Sequence, residues 1–321
     1  MNKAELLQRL AFLNDPNTPI GIELYFVLEE GNDTSIKFAN IQEDVSTALL
    51  NQFHDYINGR LINNEELIFS DLTNADDRRN SAFSYDLENK PEKLLVLSEV
   101  LNNPDKPTFD FRNDNLSNIK AFVVLIGNGE RKVAIYKKHY PVNLLKRDSI
   151  LRIFPANEQF EKLDTNVLNI NESFEFLEVD NNLVVLSLKV LETNFGYEDI
   201  VRAKATENIS LIEATGLLVD IALLTSLTTE LKYAKKMMKI RANTPVLQLP
   251  VAAVIRFIGG HPMLKKKIRF NNDSSRISLD TKVSQELFLK LLNDDFLKSE
   301  LTNLLYDSQN KDTVIVEDAE G

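Results

Sequence analysis

The apolar positions change spacing twice along the chain, and each change marks a different kind of element. Met1 to Leu13 carries Leu6, Leu7, Leu10 and Leu13 with Glu5 and Arg9 between them, the stripe of an amphipathic helix. Pro19–Leu28 and Ser35–Ala39 read as strands joined across Glu30-Gly31-Asn32-Asp33, a hairpin. Glu43–Ile57 returns to helical period through Val45, Leu49, Phe53 and Tyr56 and closes at Asn58-Gly59. Asn63–Phe83 shows no apolar period and reads as a polar, charged stretch. Pro91–Leu101 predicts a short helix, and Asn102–Asn118, with Pro104 and Pro107, a linker.

The run that organises the middle is Ile119–Ile135. Ile-Lys-Ala-Phe-Val-Val-Leu-Ile is closed by Gly127-Asn128-Gly129 and followed by Glu-Arg-Lys-Val-Ala-Ile. Its length, β-branched content and closing glycines predict a β-hairpin whose first arm is buried on both faces, the glycines supplying the positive φ of a tight turn. Val167–Ile170, Phe174–Val179 and Leu183–Leu188, separated by Asn171-Glu172-Ser173 and Asp180-Asn181-Asn182, continue it as an antiparallel meander. A central sheet of about five strands is expected.

Beyond Val190 the pattern becomes helical. Helices are expected over Glu198–Ala205, Ile209–Leu224, Thr228–Ala242, Pro250–Ile258, Val283–Leu292 and Leu297–Tyr306, with a hairpin over Ile268–Leu279 about Asn271-Asn272-Asp273. Leu211–Leu227 is the most apolar long window; Glu213 and Asp220 interrupt it, so it reads as a core helix and not a membrane span. Ser308–Gly321 is a polar, acidic tail. The expected class is α+β, a mostly antiparallel central sheet with an acidic N-terminal α/β region and a helical C-terminal half. The expected divisions are 1–118, 119–190, 191–307 and 308–321.

Composition narrows the chemistry. The 321 residues include no cysteine, which excludes disulfides, thiolate nucleophiles and thiolate metal sites. His54, His139 and His261 lie far apart, and none has a second histidine at helical ligand spacing. No Gly-x-x-x-x-Gly-Lys-Ser/Thr loop, complete dinucleotide fingerprint or Gly-x-Ser-x-Gly elbow occurs. No cofactor or metal is expected, and no catalytic residue is assigned. A metal-dependent nuclease is the rival reading, resting on Asp114 with Glu130-Arg131-Lys132, or on Glu230-Leu231-Lys232. A non-catalytic scaffold whose basic face meets an acidic partner or anionic lipid headgroups is the third. Asp76-Asp77-Arg78-Arg79 offers carboxylates for a cation and guanidiniums for phosphate, but acid beside base on a surface ordinarily neutralises itself.

Charge is where the chain departs from an ordinary soluble protein. The formal net charge is −11, yet residues 1–118 hold 21 acidic and 10 basic side chains while the remainder holds 27 of each. Between Thr228 and Leu279 eleven Lys and Arg face only Glu230 and Asp273. Lys232, Lys235, Lys236 and Lys239 recur at helical spacing on one arc, separate from an apolar stripe through Leu227, Leu231, Ala234 and Met238. Such a run reads either as a solvated helix face or as a polyanion site, since like charges so placed repel one another and a polyanion relieves that repulsion. The expected DNA contacts are Lys232, Lys235, Lys236, Lys239, Arg241, Lys265, Lys266, Lys267 and Arg269.

Several segments, in order along nearly the whole chain, resemble a known family. They are Asn63-Asn64-Glu65-Glu66-Leu67, Asp77-Arg78-Arg79-Asn80-Ser81-Ala82-Phe83, the hairpin Ile119–Tyr136 and Leu191-Glu192-Thr193. Tyr233-Ala234-Lys235-Lys236, Thr244-Pro245-Val246-Leu247, Asp294-Asp295-Phe296-Leu297 and Ser299-Glu300-Leu301-Thr302 complete the series. The pattern is similar to the KwaB proteins of the two-gene Kiwa anti-phage defence systems. The resemblance implies a cytoplasmic, self-associating protein, a homodimer or higher oligomer, that binds double-stranded DNA without cutting it. It also implies recruitment to the inner membrane by a multi-spanning partner, KwaA.

Overall fold

The computed structural model describes all residues except 32, 76–79, 142–143, 146–152, 157–158, 163–164, 300, 303–304 and 308–321. Asp76-Asp77-Arg78-Arg79 and the tail from Ser308 therefore lie outside the described residues. The chain divides into two compact units, Met1–Phe195 and Gly196–Gly321.

The first unit runs α1 (Lys3–Leu10), β1 (Gly21–Glu30), β2 (Asp33–Ala39), α2 (Glu43–Ile57), β3 (Ile68–Asp71), β4 (Ser81–Ser84), α3 (Leu95–Asn102), β5 (Ile119–Gly127) and β6 (Lys132–Lys138). It continues with β7 (Leu144–Leu145), β8 (Ile153–Ala156), β9 (Gln159–Lys162), β10 (Val167–Leu168), β11 (Phe176–Val179), β12 (Asn182–Val185) and α4 (Leu188–Asn194). Among the described residues eight strands form one sheet in the order β2-β1-β5-β6-β11-β12-β4-β3, and every neighbour is antiparallel except the β3–β4 pair. The sheet is larger than the sequence pattern suggests because β3 and β4 have no alternating pattern. All four residues of Ser81-Ala82-Phe83-Ser84 are buried, two of them serines.

β5 is an interior strand between β1 and β6, with Ala121, Phe122, Val123, Val124 and Ile126 fully excluded from solvent, so both of its faces are covered as its sequence requires. On one face Leu24, Phe26, Phe122, Val124, Val133 and Ile135 join Leu6 and Leu10 of α1 and Leu49, Phe53 and Ile57 of α2 in a single core. Neighbouring residues point to the opposite face by the period of a strand, where α3 packs on β5 and β6. Asn102–Asn118 is not a free linker: the Phe38 N–H donates to the Pro107 carbonyl and the Phe109 N–H to the Phe38 carbonyl, both at 2.8 Å, and Phe109 is buried against Phe26. Its prolines suit an edge segment, where no further strand needs their missing N–H.

The hairpin turn differs from expectation in one respect. Neither Gly127 nor Gly129 has a positive φ. Asn128 shapes the turn instead, its Oδ1 accepting from the backbone N–H groups of Glu130 at 2.8 Å and Arg131 at 2.7 Å. Gly127 is needed for space, since a Cβ there would stand 2.2 Å from the Arg131 carbonyl oxygen and 2.7 Å from Lys132 Cα. Those are backbone atoms and cannot swing aside. Gly127→Ala is expected to cost about 2 kcal/mol of stability by chemical denaturation, whereas Gly129→Ala, with open space around it, should be close to neutral.

The second unit contains α5 (Tyr197–Ala214), α6 (Ala222–Leu227), α7 (Leu231–Met238), α8 (Val251–Gly260), β13 (Arg269–Phe270), β14 (Ile277–Ser278), α9 (Lys282–Leu292), β15 (Phe296–Lys298) and β16 (Leu305–Asp307). Leu211–Leu227 is not one helix: α5 ends at Ala214, and Gly216 takes φ +67°, a left-handed conformation that stops the helix without steric cost. Leu217 and Val219 then exchange hydrogen bonds with Ile277. Leu297–Tyr306, expected as a helix, contains the antiparallel ladder Phe296↔Asp307, Leu297↔Tyr306, Lys298↔Leu305. A short apolar run does not distinguish the two periods. No helix among the described residues is long and apolar enough to cross a membrane.

Candidate nucleic-acid interface

The densest cationic stretch sits in the second unit, and its helix is shorter than its sequence suggests. Leu231–Met238 is helical, and Lys239 caps it. The buried stripe is Tyr233, Ala234, Met237 and Met238, which packs against α5 and α9; Leu227 belongs to α6. The carbonyls of the last turn, which have no partner within the helix, are held from outside. Asn208 of α5, itself buried, donates through Nδ2 to the carbonyls of Met237 at 3.1 Å and Met238 at 3.2 Å, and Asn293 donates to that of Lys236 at 3.2 Å.

These constraints set how each lysine is displayed. Lys232 is exposed, while Lys235, Lys236 and Lys239 are half-buried. The arc is thus less uniformly open than helical spacing alone implies. Arg241 is exposed just beyond the helix, its backbone N–H donating to Thr244 Oγ1 at 2.8 Å. The ammonium groups of Lys232 and Lys282 each lie 5.2 Å from the Tyr233 ring centroid. Tyr233 donates its hydroxyl proton to Glu286, and Lys282 pairs with Glu230 at 2.7 Å.

Lys265, Lys266 and Lys267 follow α8 on a compact turn. Their backbone is fixed by hydrogen bonds from Lys265 to the His261 carbonyl at 3.0 Å and from Lys267 and Ile268 to the Leu264 carbonyl at 2.9 Å. Leu264 and Ile268 are buried as anchors, and the three lysines between them are exposed. Arg269 is exposed on β13, opposite Ser278. From Leu231 to Asn272 the chain has ten Lys and Arg and no Asp or Glu.

The residues behind the nuclease reading are held apart or already engaged. Asp114 precedes β5 and Glu130 follows it, and nine strand residues span about 27 Å, so these two carboxylates do not share an ion. Asp114 instead lies 3.6 Å from Lys37 and accepts from the Asp110 N–H. Glu230 stands at the N-cap of α7, bound to Lys282. Among the described residues no three His, Asp or Glu side chains form a group able to hold a metal ion.

Two buried polar clusters had no signal in the sequence pattern. Glu178 of β11 is fully buried; its Oε1 accepts from Lys90 Nζ at 3.0 Å and Ser98 Oγ at 2.5 Å. Near the end of β6, Lys137 donates to Asn171 and to the Ser173 carbonyl, and Glu175 Oε2 accepts from the Lys138 N–H at 2.7 Å. Burial pushes the Lys137 ammonium below and the Glu175 carboxyl above their usual ranges. Both groups tie the Asn171–Glu175 turn to the sheet.

Burial, helped by Lys120 and Lys137, also holds His139 below the ordinary histidine range, and burial alone does the same to His261. A histidine that resists protonation when folded favours the unfolded chain once pH falls. Stability contributed by keeping the two neutral is therefore present above the free value of about 6.5 and is lost as pH drops through it. Urea denaturation across that range should show a decline that His139→Leu makes shallower.

The family described as Kiwa protein KwaB-like matches residues 116–302, from the start of the central hairpin through the cationic unit. Over 282 residues the chain is 26% identical to "Kiwa protein KwaB" of Escherichia coli O55:H7 (strain RM12579 / EPEC), covering 86% of this chain and 89% of that protein. No solved structure matches. With more than half of its length inside the family match, including both the β5–β6 hairpin and the whole acid-free cationic stretch, the chain belongs to the Kiwa protein KwaB-like family.

Proposed function

We propose that this chain is the double-stranded-DNA-binding component of a Kiwa anti-phage defence system, and that it binds DNA without cleaving it. The observation that carries the reading is the acid-free stretch from Leu231 to Asn272, which displays Lys232, Arg241, Lys265, Lys266, Lys267 and Arg269 at the surface of an otherwise acidic protein. Lysines and arginines that neutralise phosphates release condensed counterions, which gives affinity without sequence reading. The family membership supports a role within Kiwa, where this protein works with the multi-spanning membrane partner KwaA and self-associates as a homodimer or higher oligomer.

The test is a titration of the purified chain into unrelated duplexes at several salt concentrations. Four to eight phosphate contacts would give a log–log salt slope of about −4 to −7, nearly the same for each duplex. Incubation with supercoiled and linear DNA in Mg²⁺ and in Mn²⁺ should leave the DNA intact. A salt-insensitive affinity would remove the phosphate-contact reading, and cleavage abolished by Glu130→Ala would replace binding with nuclease chemistry.

A further inference from the structure

A surface helix ordinarily turns several polar side chains to solvent, and α8 turns only Arg256. Of its ten residues, Val-Ala-Ala-Val-Ile-Arg-Phe-Ile-Gly-Gly, only Val254 and Ile258 are buried, and Arg256 is the one polar side chain. Ala252, Phe257, Gly259 and Gly260 are all exposed. Leu249 before the helix is 52% exposed, Phe257 42% and Met263 after it 39%. The turn that leaves the helix carries Lys265, Lys266 and Lys267, all exposed, with no acid between Gln248 and Asn272.

An exposed apolar helix face bordered by clustered cations has a specific complement. Duplex DNA matches the cations but offers a phosphate surface to Leu249, Phe257 and Met263. The headgroup boundary of an anionic bilayer matches both: apolar side chains enter the acyl edge while lysines stay among negatively charged headgroups. At ten residues α8 is about 15 Å long, enough to lie along such a surface and too short to span it.

We infer that α8 and the lysine turn after it form a peripheral docking surface for anionic lipid membranes, used by this chain directly and separately from any protein partner. The inference does not rest on DNA binding; the lysine turn suits either polyanion, but the apolar face suits the lipid and not the duplex.

Flotation of the full chain, alone, with vesicles of phosphatidylcholine or of phosphatidylcholine with phosphatidylglycerol tests it. Binding is expected to the anionic vesicles only and to weaken as salt rises. Phe257→Ser with Met263→Ser should lower it at least about tenfold, and replacing Lys265, Lys266 and Lys267 by Gln should lower it on the order of a hundredfold. All five side chains are exposed, so unchanged circular dichroism should accompany both variants. The Phe257/Met263 variant should bind duplex DNA like the parent, which separates failure here from failure of the DNA reading. Three results overturn the inference: no flotation with anionic vesicles, equal flotation by the Phe257/Met263 variant, or conversion of an oligomer to monomer by that variant. The last would assign the apolar face to a second copy of the chain.

Discussion

Lys232→Glu combined with Lys265→Glu and Lys266→Glu is expected to weaken duplex binding by about a hundredfold or more at moderate salt and to make its salt slope shallower by about 2.7, three lost phosphate contacts at about 0.9 each. These positions are chosen because the structure leaves them exposed, whereas Lys235 and Lys236 are half-buried and Asn293 is bonded to the Lys236 carbonyl. Lys232 lies in the first turn of α7, where a carboxylate interacts favourably with the positive end of the helix dipole, so Glu there should not unfold the helix. Lys265 and Lys266 stand on a turn fixed by the buried Leu264 and by backbone bonds that charge reversal leaves in place. A control pair of reversals on the first unit, Lys93→Glu with Lys189→Glu, should leave both affinity and slope unchanged. An unaltered slope in the triple variant would place the DNA contacts elsewhere.

The second large effect concerns stability and belongs to the first unit. Lys90→Ala is expected to destabilise the first unit by about 3 kcal/mol, because it removes the counter-charge of a carboxylate that has no access to water. Glu178 is fully buried between α3 and the sheet, and its Oε2 has no hydrogen-bond partner among the described residues. Once Lys90 is gone, only the Ser98 hydroxyl remains to stabilise the charge. The reverse change is milder: in Glu178→Gln the amide oxygen can still accept from Ser98, and Lys90, about a quarter exposed, can turn its ammonium to solvent. Replacing both, Lys90→Met with Glu178→Leu, should recover most of the loss, since a packed apolar pair avoids desolvating two charges. A cost for Lys90→Ala no greater than that for Glu178→Gln would show that leaving the buried carboxylate without Lys90 carries no special penalty. Denaturant midpoints of the four proteins decide it.

The hydrophobic pattern alone determined the class of this protein and several of its elements. Helix α2 runs over Glu43–Ile57, as its period requires, and β5 is buried on both faces because an apolar run of that length in a strand leaves no side for water. The reversal of charge after Leu231 is likewise a property of the sequence, visible before any fold is known.

What the pattern could not carry are the features decided by groups that meet only when the chain is folded. Ser81 and Ser84 enter the sheet because β12 and β3 flank them, not through any apolar preference of their own. Gly127 is fixed by the approach of the Arg131 carbonyl across the hairpin, a steric fact with no local signature. The stop at Gly216 and the ladder of Leu297 with Tyr306 depend on pairing partners tens of residues away or on a turn that period alone does not reveal. Glu178 reads as one more acid among many until β11 places it under α3 beside Lys90, 88 residues earlier in the chain. The display of the lysines was also settled in three dimensions: Asn208 and Asn293 hold the last-turn carbonyls of α7, and Lys235 and Lys236 are half-buried there, while Lys232 and the Lys265–Lys267 turn remain open. Spacing along a helix fixes which side chains share an arc, and only the neighbours packed around that helix decide how much of the arc reaches solvent.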